Sequence, residues 1–242
     1  MGFEACRRLD DCPHGESVAG GTGVSIPAVP PPEGPDPDAL REELISLGAA
    51  TLGESGGVAL DPAIRRMWAG ARFAAPALTV ACAPGDNLAL HAAVASARRG
   101  AALAASTGDG TRRGYWGEVL STAAQAAGIV ALVTDGTVRD TDALERLGFP
   151  VFACGVGLRG ASKSGPGSVG AQVVLGGVAL DSGDWLVGDA DGVVAIAATA
   201  LSDCLRAGRD RAAREIDMMR RLRSGATTVE LLGLDVSAID LT

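Results

Sequence analysis

Lysine is almost absent from this chain: of its 21 basic residues, all but Lys163 are arginine. The one lysine stands in "GASKSGPGS", a polar loop. Histidine is nearly as scarce, with only His14 and His91. A serine triad needs a histidine base, so the "GESGG" stretch at 53–57, which satisfies GxSxG, has few partners. A trypsin-like order would crowd all the machinery before it, and His91 follows too soon for a hydrolase elbow. Gly56-Gly57 therefore reads as an ordinary turn. His91 falls on the apolar side of a helix and reads as a packed histidine with a hydrogen-bonded ring nitrogen. Cysteine is odd in number and widely spaced (Cys6, Cys12, Cys82, Cys154, Cys204), which leaves no disulfide framework and no CxxC metal site. Cys6, Cys12 and His14 match no zinc spacing and lack a fourth ligand. Cys82 and Cys154 lie in apolar strand-like runs and read as small buried hydrophobes.

Positive charge is also in deficit. With 29 acidic against 21 basic residues the net charge is −8, the wrong sign for a generic nucleic-acid binder, which must neutralise phosphates. No apolar run reaches the ~20 residues of a spanning helix, and "MGFEACRRLDDCPHGES" lacks the apolar core of a signal peptide. The expectation is a cytoplasmic protein with no membrane and no nucleic-acid partner. Apolar residues still make up 47% of the 242, enough for a full core.

Residues 1–35 end in "GGTGVSIPAVPPPEGPDP", a Gly/Pro-rich extension that cannot pack a core. Residues 36–242 are expected to form one domain. A helix should begin near Asp36 to Asp38, with Pro37 in its first turn. Strands and helices then alternate: strand 77–82, helix 86–99 capped by Asp86, strand 101–106, a helix from Glu118 to Ala127, strand 129–134, a short "TDALERL" helix, strand 149–154. Residues 169–197 read instead as short strands between Gly and Asp turns. A long amphipathic helix, 199–223, closes the chain, with Leu201, Leu205, Ala212, Ile216, Met219 and Leu222 as its apolar stripe, enough to pack on a neighbouring subunit. "GVGLRG" (155–160) satisfies GxGxxG, but "ASKSGPGSVG" cannot form the helix that a dinucleotide pyrophosphate requires.

One constellation survives. Gly114 and Gly117 bring the chain close to whatever fills their loop, and the next helix opens at Glu118 with the N–H groups of Val119 and Leu120 free to meet a carboxylate. The following strand ends at Arg139-Asp140, near the same sheet edge, where parallel α/β units gather ligands. Two carboxylates suit Mg²⁺ or its waters, and a guanidinium suits an anionic oxygen. Equally, Arg139 could pair with Glu118 while Asp140 caps "TDALERL". Spacing alone leaves both readings open.

The segment "GYWGEVL…GIVALVTDGTVRDTDALERLGFPVFACGV", preceded by "APGDNLALH" and followed by "GDWLVGDADGVVAI", resembles the regulator of ribonuclease activity A family. Within it, the likeness is to the divalent-metal pyruvate aldolases acting on 4-hydroxy-4-methyl-2-oxoglutarate and 4-carboxy-4-hydroxy-2-oxoadipate. It spans roughly residues 40 to 225. The resemblance implies a swivelling α/β/β/α sandwich fold, with trimers or hexamers holding active sites between subunits. It also implies Asp140 as the one direct protein ligand of Mg²⁺ or Mn²⁺, and Arg139 on the pyruvoyl oxygen. Glu118, where relatives can carry aspartate, would hold the metal's waters, and the Val119 and Leu120 amides would hold the pyruvoyl carboxylate. Lys163 matches a loop lysine suited to a distal carboxylate, and Glu215 an acid lent to a neighbouring subunit. The implied activity is retro-aldol cleavage of a 4-hydroxy-2-oxo acid to release pyruvate, with oxaloacetate decarboxylation as a side activity. A non-catalytic ribonuclease regulator, or a lyase repurposed for a specialised pathway, are the alternatives.

Overall fold

The computed structural model describes residues 37–108 and 113–240. Cys6, Cys12 and His14, the Gly/Pro-rich extension and Arg112 lie outside the described residues. The first helix, α1 (Pro37–Gly53), is kinked at Gly48 (φ 79°, ψ 160°), where the Asp189 carboxylate accepts the Ala49 N–H at 2.8 Å. Two short strands follow, β1 (Val58–Ala59) and β2 (Arg65–Arg66). The alternating part is β3 (Phe73–Cys82), α2 (Leu88–Ser96), β4 (Ala102–Ser106), α3 (Glu118–Ala127), β5 (Ala131–Thr134), α4 (Thr141–Leu147) and β6 (Val151–Ala153). The strand-rich part is β7 (Gly167–Val169), β8 (Val173–Leu175), β9 (Val178–Leu180), β10 (Trp185–Gly188) and β11 (Val193–Ile196). The chain then enters α5 (Leu201–Arg223) and α6 (Thr228–Leu232).

β3, β4, β5 and β6 run parallel and in that order, as strands joined by helical crossovers must. β3 serves two sheets. Its first residues pair antiparallel with β10, and from Ala77 onward it pairs in parallel with β4. Alternation along the strands then assigns the faces. Leu103, Ala105, Leu132, Val151 and Ala153 point toward α2, α3 and α4. Ala102, Ala104, Ala131, Val133 and Phe152 point the other way, against Val173, Leu175, Leu186 and Ala195 of the strand-rich half. The far side of that half carries Trp185, Val187, Val194 and Ile196, which pack on Leu44 and Leu52 of α1 and Cys204 and Leu205 of α5. The layers are thus helices, sheet, sheet, helices, the α/β/β/α arrangement that the family resemblance implied.

Several local expectations change. α2 is shorter than the helix expected over 86–99, and its N-cap position is Asn87. Cys82 is buried, but Cys154 lies just past the end of β6 and is exposed. The apolar stripe of α5 is only partly used within the chain: Leu205 is buried beside Cys204 and Gly208, whereas Ile216 and Met219 are exposed. Glu43 and Glu54, on and just beyond α1, pair with Arg209 and Arg211 of α5. Sequence reading did not expect α6, although Thr227 and Glu230 form a reciprocal capping box at its start. No helix among the described residues is long and apolar enough to cross a membrane.

Candidate active site

The loops that leave the parallel strands do not splay apart. They continue as a ribbon beyond the sheet. Gly114 bridges Thr137 and Gly160, Val138 bridges Val156, and Asp86 bridges Ser162. Gly114 N–H donates to Arg159 O at 2.8 Å, Tyr115 N–H to Thr137 O at 3.0 Å, and Val138 N–H to Gly155 O at 3.0 Å. Arg139 N–H donates to Trp116 O at 2.8 Å, which fastens the exit of β5 to the entry of α3. Trp116 itself is buried, donates from its indole to Ser121 Oγ at 2.6 Å and stacks on Phe149. This explains why a four-residue buried strand can deliver two charged side chains to a fixed place.

Asp140 is the sole non-glycine residue with positive φ among those described (φ 59°, ψ 37°). Such backbone is costly outside glycine, though less so for Asp and Asn, and persists where surroundings over-determine it. The turn sends the carboxylate away from α4, whose N-terminus gains no side-chain cap. Of the two readings left open, the one in which the Asp140 side chain caps "TDALERL" is therefore set aside. Its Oδ2 instead accepts the Glu118 N–H at 3.1 Å, capping α3 across the loop, and lies 3.6 Å from Arg139 Nε. The alternative pairing of Arg139 with Glu118 does not occur among the described contacts. Gly117 is the reason this fits: a Cβ there would stand 2.3 Å from Asp140 Oδ2. At Gly114 a Cβ would stand 2.5 Å from Gly157 O.

Glu118, Arg139 and Asp140 are thus brought together at one helix start, with Arg139 and Asp140 about half exposed. Among the described residues, the Val119 and Leu120 N–H groups make no hydrogen bond, so α3 presents free donors and the positive end of its dipole beside the guanidinium. The Val119 side chain is exposed, as are Val156 and Leu158 in the loop after β6, giving the charged centre an apolar rim. Lys163 lies in the exposed loop between β6 and β7. Glu215 does not join the group within one chain. It sits on α5, held by Arg211 Nε at 2.8 Å.

No group of three or more His, Cys, Asp or Glu side chains able to hold a metal is present among the described residues. A closed metal cage is therefore not what these residues offer. Mg²⁺, however, keeps several waters and binds through one or two carboxylates plus substrate oxygens. The Asp140 carboxylate fits that mode: it is half exposed, and its Oδ1 has no hydrogen bond among the described residues.

Sequence reading missed the support beneath the site. Tyr115 is fully buried, its hydroxyl accepts the Gly85 N–H at 2.7 Å, and its carbonyl accepts from Asn87 Nδ2 at 2.8 Å. Asp135 accepts the N–H and hydroxyl of Thr107 at 2.7 and 2.9 Å, joining the ends of β4 and β5. The hydrogen-bonded ring expected of His91 is not found: its Nε2 is buried without a partner among the described residues. Burial, with the charge of Lys163 nearby, holds its imidazole below the usual histidine range. Only a fold brings these partners together, so no local spacing announces them.

The sequence profile of the RraA-like family, described as aldolase/RraA, matches residues 43–195. The chain belongs to the RraA-like family. It is 37% identical over 121 residues to a Halalkalibacterium halodurans protein provisionally named 4-hydroxy-4-methyl-2-oxoglutarate aldolase, covering 50% of this chain and 58% of that relative. The chain thus spans under two thirds of that relative's length. Among solved structures, an uncharacterized protein of Pseudomonas syringae superposes with a TM-score of 0.71 at 24% identity, over 84% of this chain and 96% of the other. RraAS2 of Streptomyces coelicolor, described as an unusual member of the RNase ES inhibitor RraA family, superposes with a TM-score of 0.68 at 25% identity, over 78% and 99%. The chain is thus similar both to a protein named for an aldolase and to one named among ribonuclease inhibitors. The fold matches these neighbours, and this chain carries a long C-terminal helix, α5.

Proposed function

We propose that the protein is a divalent-metal lyase that cleaves a 4-hydroxy-2-oxo acid by retro-aldol reaction and releases pyruvate. The observation that carries this reading is the Arg139-Asp140 pair, turned by a left-handed residue onto the N-terminus of α3 beside the open Val119 and Leu120 donors. Strain of that kind is kept where geometry matters to chemistry. The Val119 and Leu120 amides would take the C1 carboxylate, as helix N-termini take anions. Asp140 would hold Mg²⁺ or Mn²⁺, which supplies Lewis acidity toward the 2-oxo acid. Arg139 would donate to the C2 oxygen and stabilise the charge that develops there.

Glu118, with Glu215 from a neighbouring copy, would accept the C4 hydroxyl proton through water. As that proton leaves, the C4–O bond becomes a carbonyl and the C3–C4 bond breaks. Its electron pair moves into the C2–C3 enolate, and a proton returned to C3 completes pyruvate. Oxaloacetate would lose its C4 carboxylate as CO₂ through the same enolate. Lys163, in an exposed loop, suits a distal substrate carboxylate and not a Schiff base, which wants a desolvated amine. The apolar rim at Val119, Val156 and Leu158, and the uncovered half of α5, support a homotrimer or hexamer with sites shared between copies.

A second reading, a non-catalytic regulator of a ribonuclease, is supported by the likeness to RraAS2. A coupled pyruvate assay separates the two. With a panel of 4-hydroxy-2-oxo diacids and oxaloacetate, pyruvate release should need Mg²⁺ or Mn²⁺, stop with EDTA, and vanish in Asp140→Ala. Metal-independent release, or an active Asp140→Ala, would sink the assignment; no release from any substrate would favour the regulator.

A further inference from the structure

Asp86 lies outside the constellation above, yet it is 3% exposed and carries three backbone donors. Its Oδ1 accepts the Leu88 N–H at 2.8 Å and fixes the first turn of α2. Its Oδ2 accepts Ser164 N–H at 2.7 Å and Gly165 N–H at 2.8 Å, the two residues that follow Lys163. The residue before Lys163 is tied to the same turn. Ser162 donates its N–H to Gly85 O at 2.9 Å, and its carbonyl accepts the Asn87 N–H at 2.9 Å. Lys163 is therefore flanked on both sides by residues bound to the turn that opens α2, Gly85 to Asn87. Close approach is built in as well: a Cβ at Gly165 would stand 3.0 Å from Asp86 Cβ and Cγ.

The loop so held runs past the candidate site. A Cβ at Gly160 would lie 3.8 Å from Arg139 Nη1, so the chain passes beside that guanidinium shortly before Lys163. The other end of the clamp reaches α3: Gly85 and Asn87 hold Tyr115, in the loop that leads into Glu118. Burial would push the Asp86 carboxyl up. The N–H donors of Leu88, Ser164 and Gly165, with the Ser162 hydroxyl, outweigh it and hold the carboxyl well below the usual carboxylate range. The latch is thus an anion at any ordinary pH.

We infer that Asp86 is a positioning residue whose buried carboxylate fixes the Lys163 loop beside the Arg139 and Asp140 centre. What Lys163 then does for the substrate rests on the retro-aldol reading; that Asp86 holds the loop does not.

The chain's single lysine supplies a direct test. A lysine-specific endoprotease can cut at Lys163 only, giving residues 1–163 and 164–242. Cleavage of a folded chain follows how often the loop opens, so Asp86→Ala should be cut at least about tenfold faster than wild type. The comparison is made where circular dichroism shows both folded, with Lys163→Arg as the uncut control. Asp86→Asn, which keeps the shape and one acceptor, should fall between and covers the case in which Asp86→Ala does not fold. Equal cleavage rates in folded variants would overturn the inference.

The kinetic arm reads the split between KM and kcat. For a substrate with a distal carboxylate, Asp86→Ala should raise KM by about tenfold, the worth of one charge-assisted contact, with a smaller change in kcat. Adding Asp86→Ala to Lys163→Ala should raise KM little further, since coupled sites do not add. Full additivity would overturn the link between the two residues. If wild type releases no pyruvate at all, the retro-aldol reading fails, while the cleavage rates still decide whether Asp86 holds the loop.

Discussion

Replacing Gly117 with alanine separates the stability of the fold from the integrity of the site. Gly117 has φ −169° and ψ −162°, extended backbone open to any residue, so the added methyl meets no conformational penalty. The obstacle is Asp140, whose Oδ2 would lie 2.3 Å from the new carbon, with Arg139 Cγ at 3.1 Å. Ordinary contact begins at 3.4 Å, so the carboxylate oxygen must retreat by about 1 Å. That movement breaks its hydrogen bond from Glu118 and removes the cap of α3, a loss of about 1 kcal/mol. Reduced freedom of the unfolded chain offsets about 0.5 kcal/mol of it. In a chain of this size, Tm should therefore fall by no more than about 2–4 °C. Chemistry is less forgiving, because a displacement of about 1 Å in a positioned group can cost on the order of 100-fold in rate. The assay is metal-dependent pyruvate release coupled to lactate dehydrogenase, across a Mg²⁺ titration, with thermal melts in parallel. Wild-type turnover at wild-type Mg²⁺ dependence would refute the reasoning, since Asp140 would then not need the space that glycine leaves.

Two further outcomes are expected. Mixed oligomers of Glu215→Ala and Asp140→Ala chains should regain some pyruvate release, because a shared site can draw each missing group from a different copy; strict failure to complement would argue against Glu215 serving a neighbour. Acid sensitivity should trace to Asp86. Its folded carboxyl is held below the unfolded value of about 3.9, so its stabilisation is complete above that pH and is lost as pH falls toward the folded value. Urea melts of wild type and Asp86→Asn should show a gap at neutral pH that narrows below about pH 4. A gap that stayed constant under acid would contradict this origin.

The sequence was most legible where local pattern and final geometry agree. The apolar run before Arg139-Asp140 and the glycines before Glu118 place a strand exit and a helix start, and both stand where expected. The direction of the Asp140 carboxylate was not legible. A carboxylate just before a helix ordinarily caps that helix, but the left-handed turn at Asp140 aims it across the loop, a choice made by Gly117 and Trp116. Asp86 misled in the same way. Its bond to Leu88 is local and was anticipated as a cap, whereas Ser164 and Gly165 come from a loop far along the chain. His91 and Cys154 were read from apolar neighbours alone, and neither found the environment that implied. Thr227 and Glu230 at the start of α6 did carry a readable signature, the Thr-x-x-Glu spacing.

The double membership of β3 bears on how the chain can be made. All four parallel strands are complete once β6 ends at Ala153, and helices already cover one of their faces. The opposite face, with Ala102, Ala104, Ala131, Val133 and Phe152, lacks most of its cover until β8 through β11 emerge. The first half of β3 waits for β10 as well, a pairing across more than a hundred residues. Such distant partners slow folding, and unpaired edges with bare apolar faces invite aggregation. A ribosome-bound or truncated chain ending near residue 153 would be a liability in a cell, not a smaller working domain, and any dissection of this protein into halves should be planned accordingly.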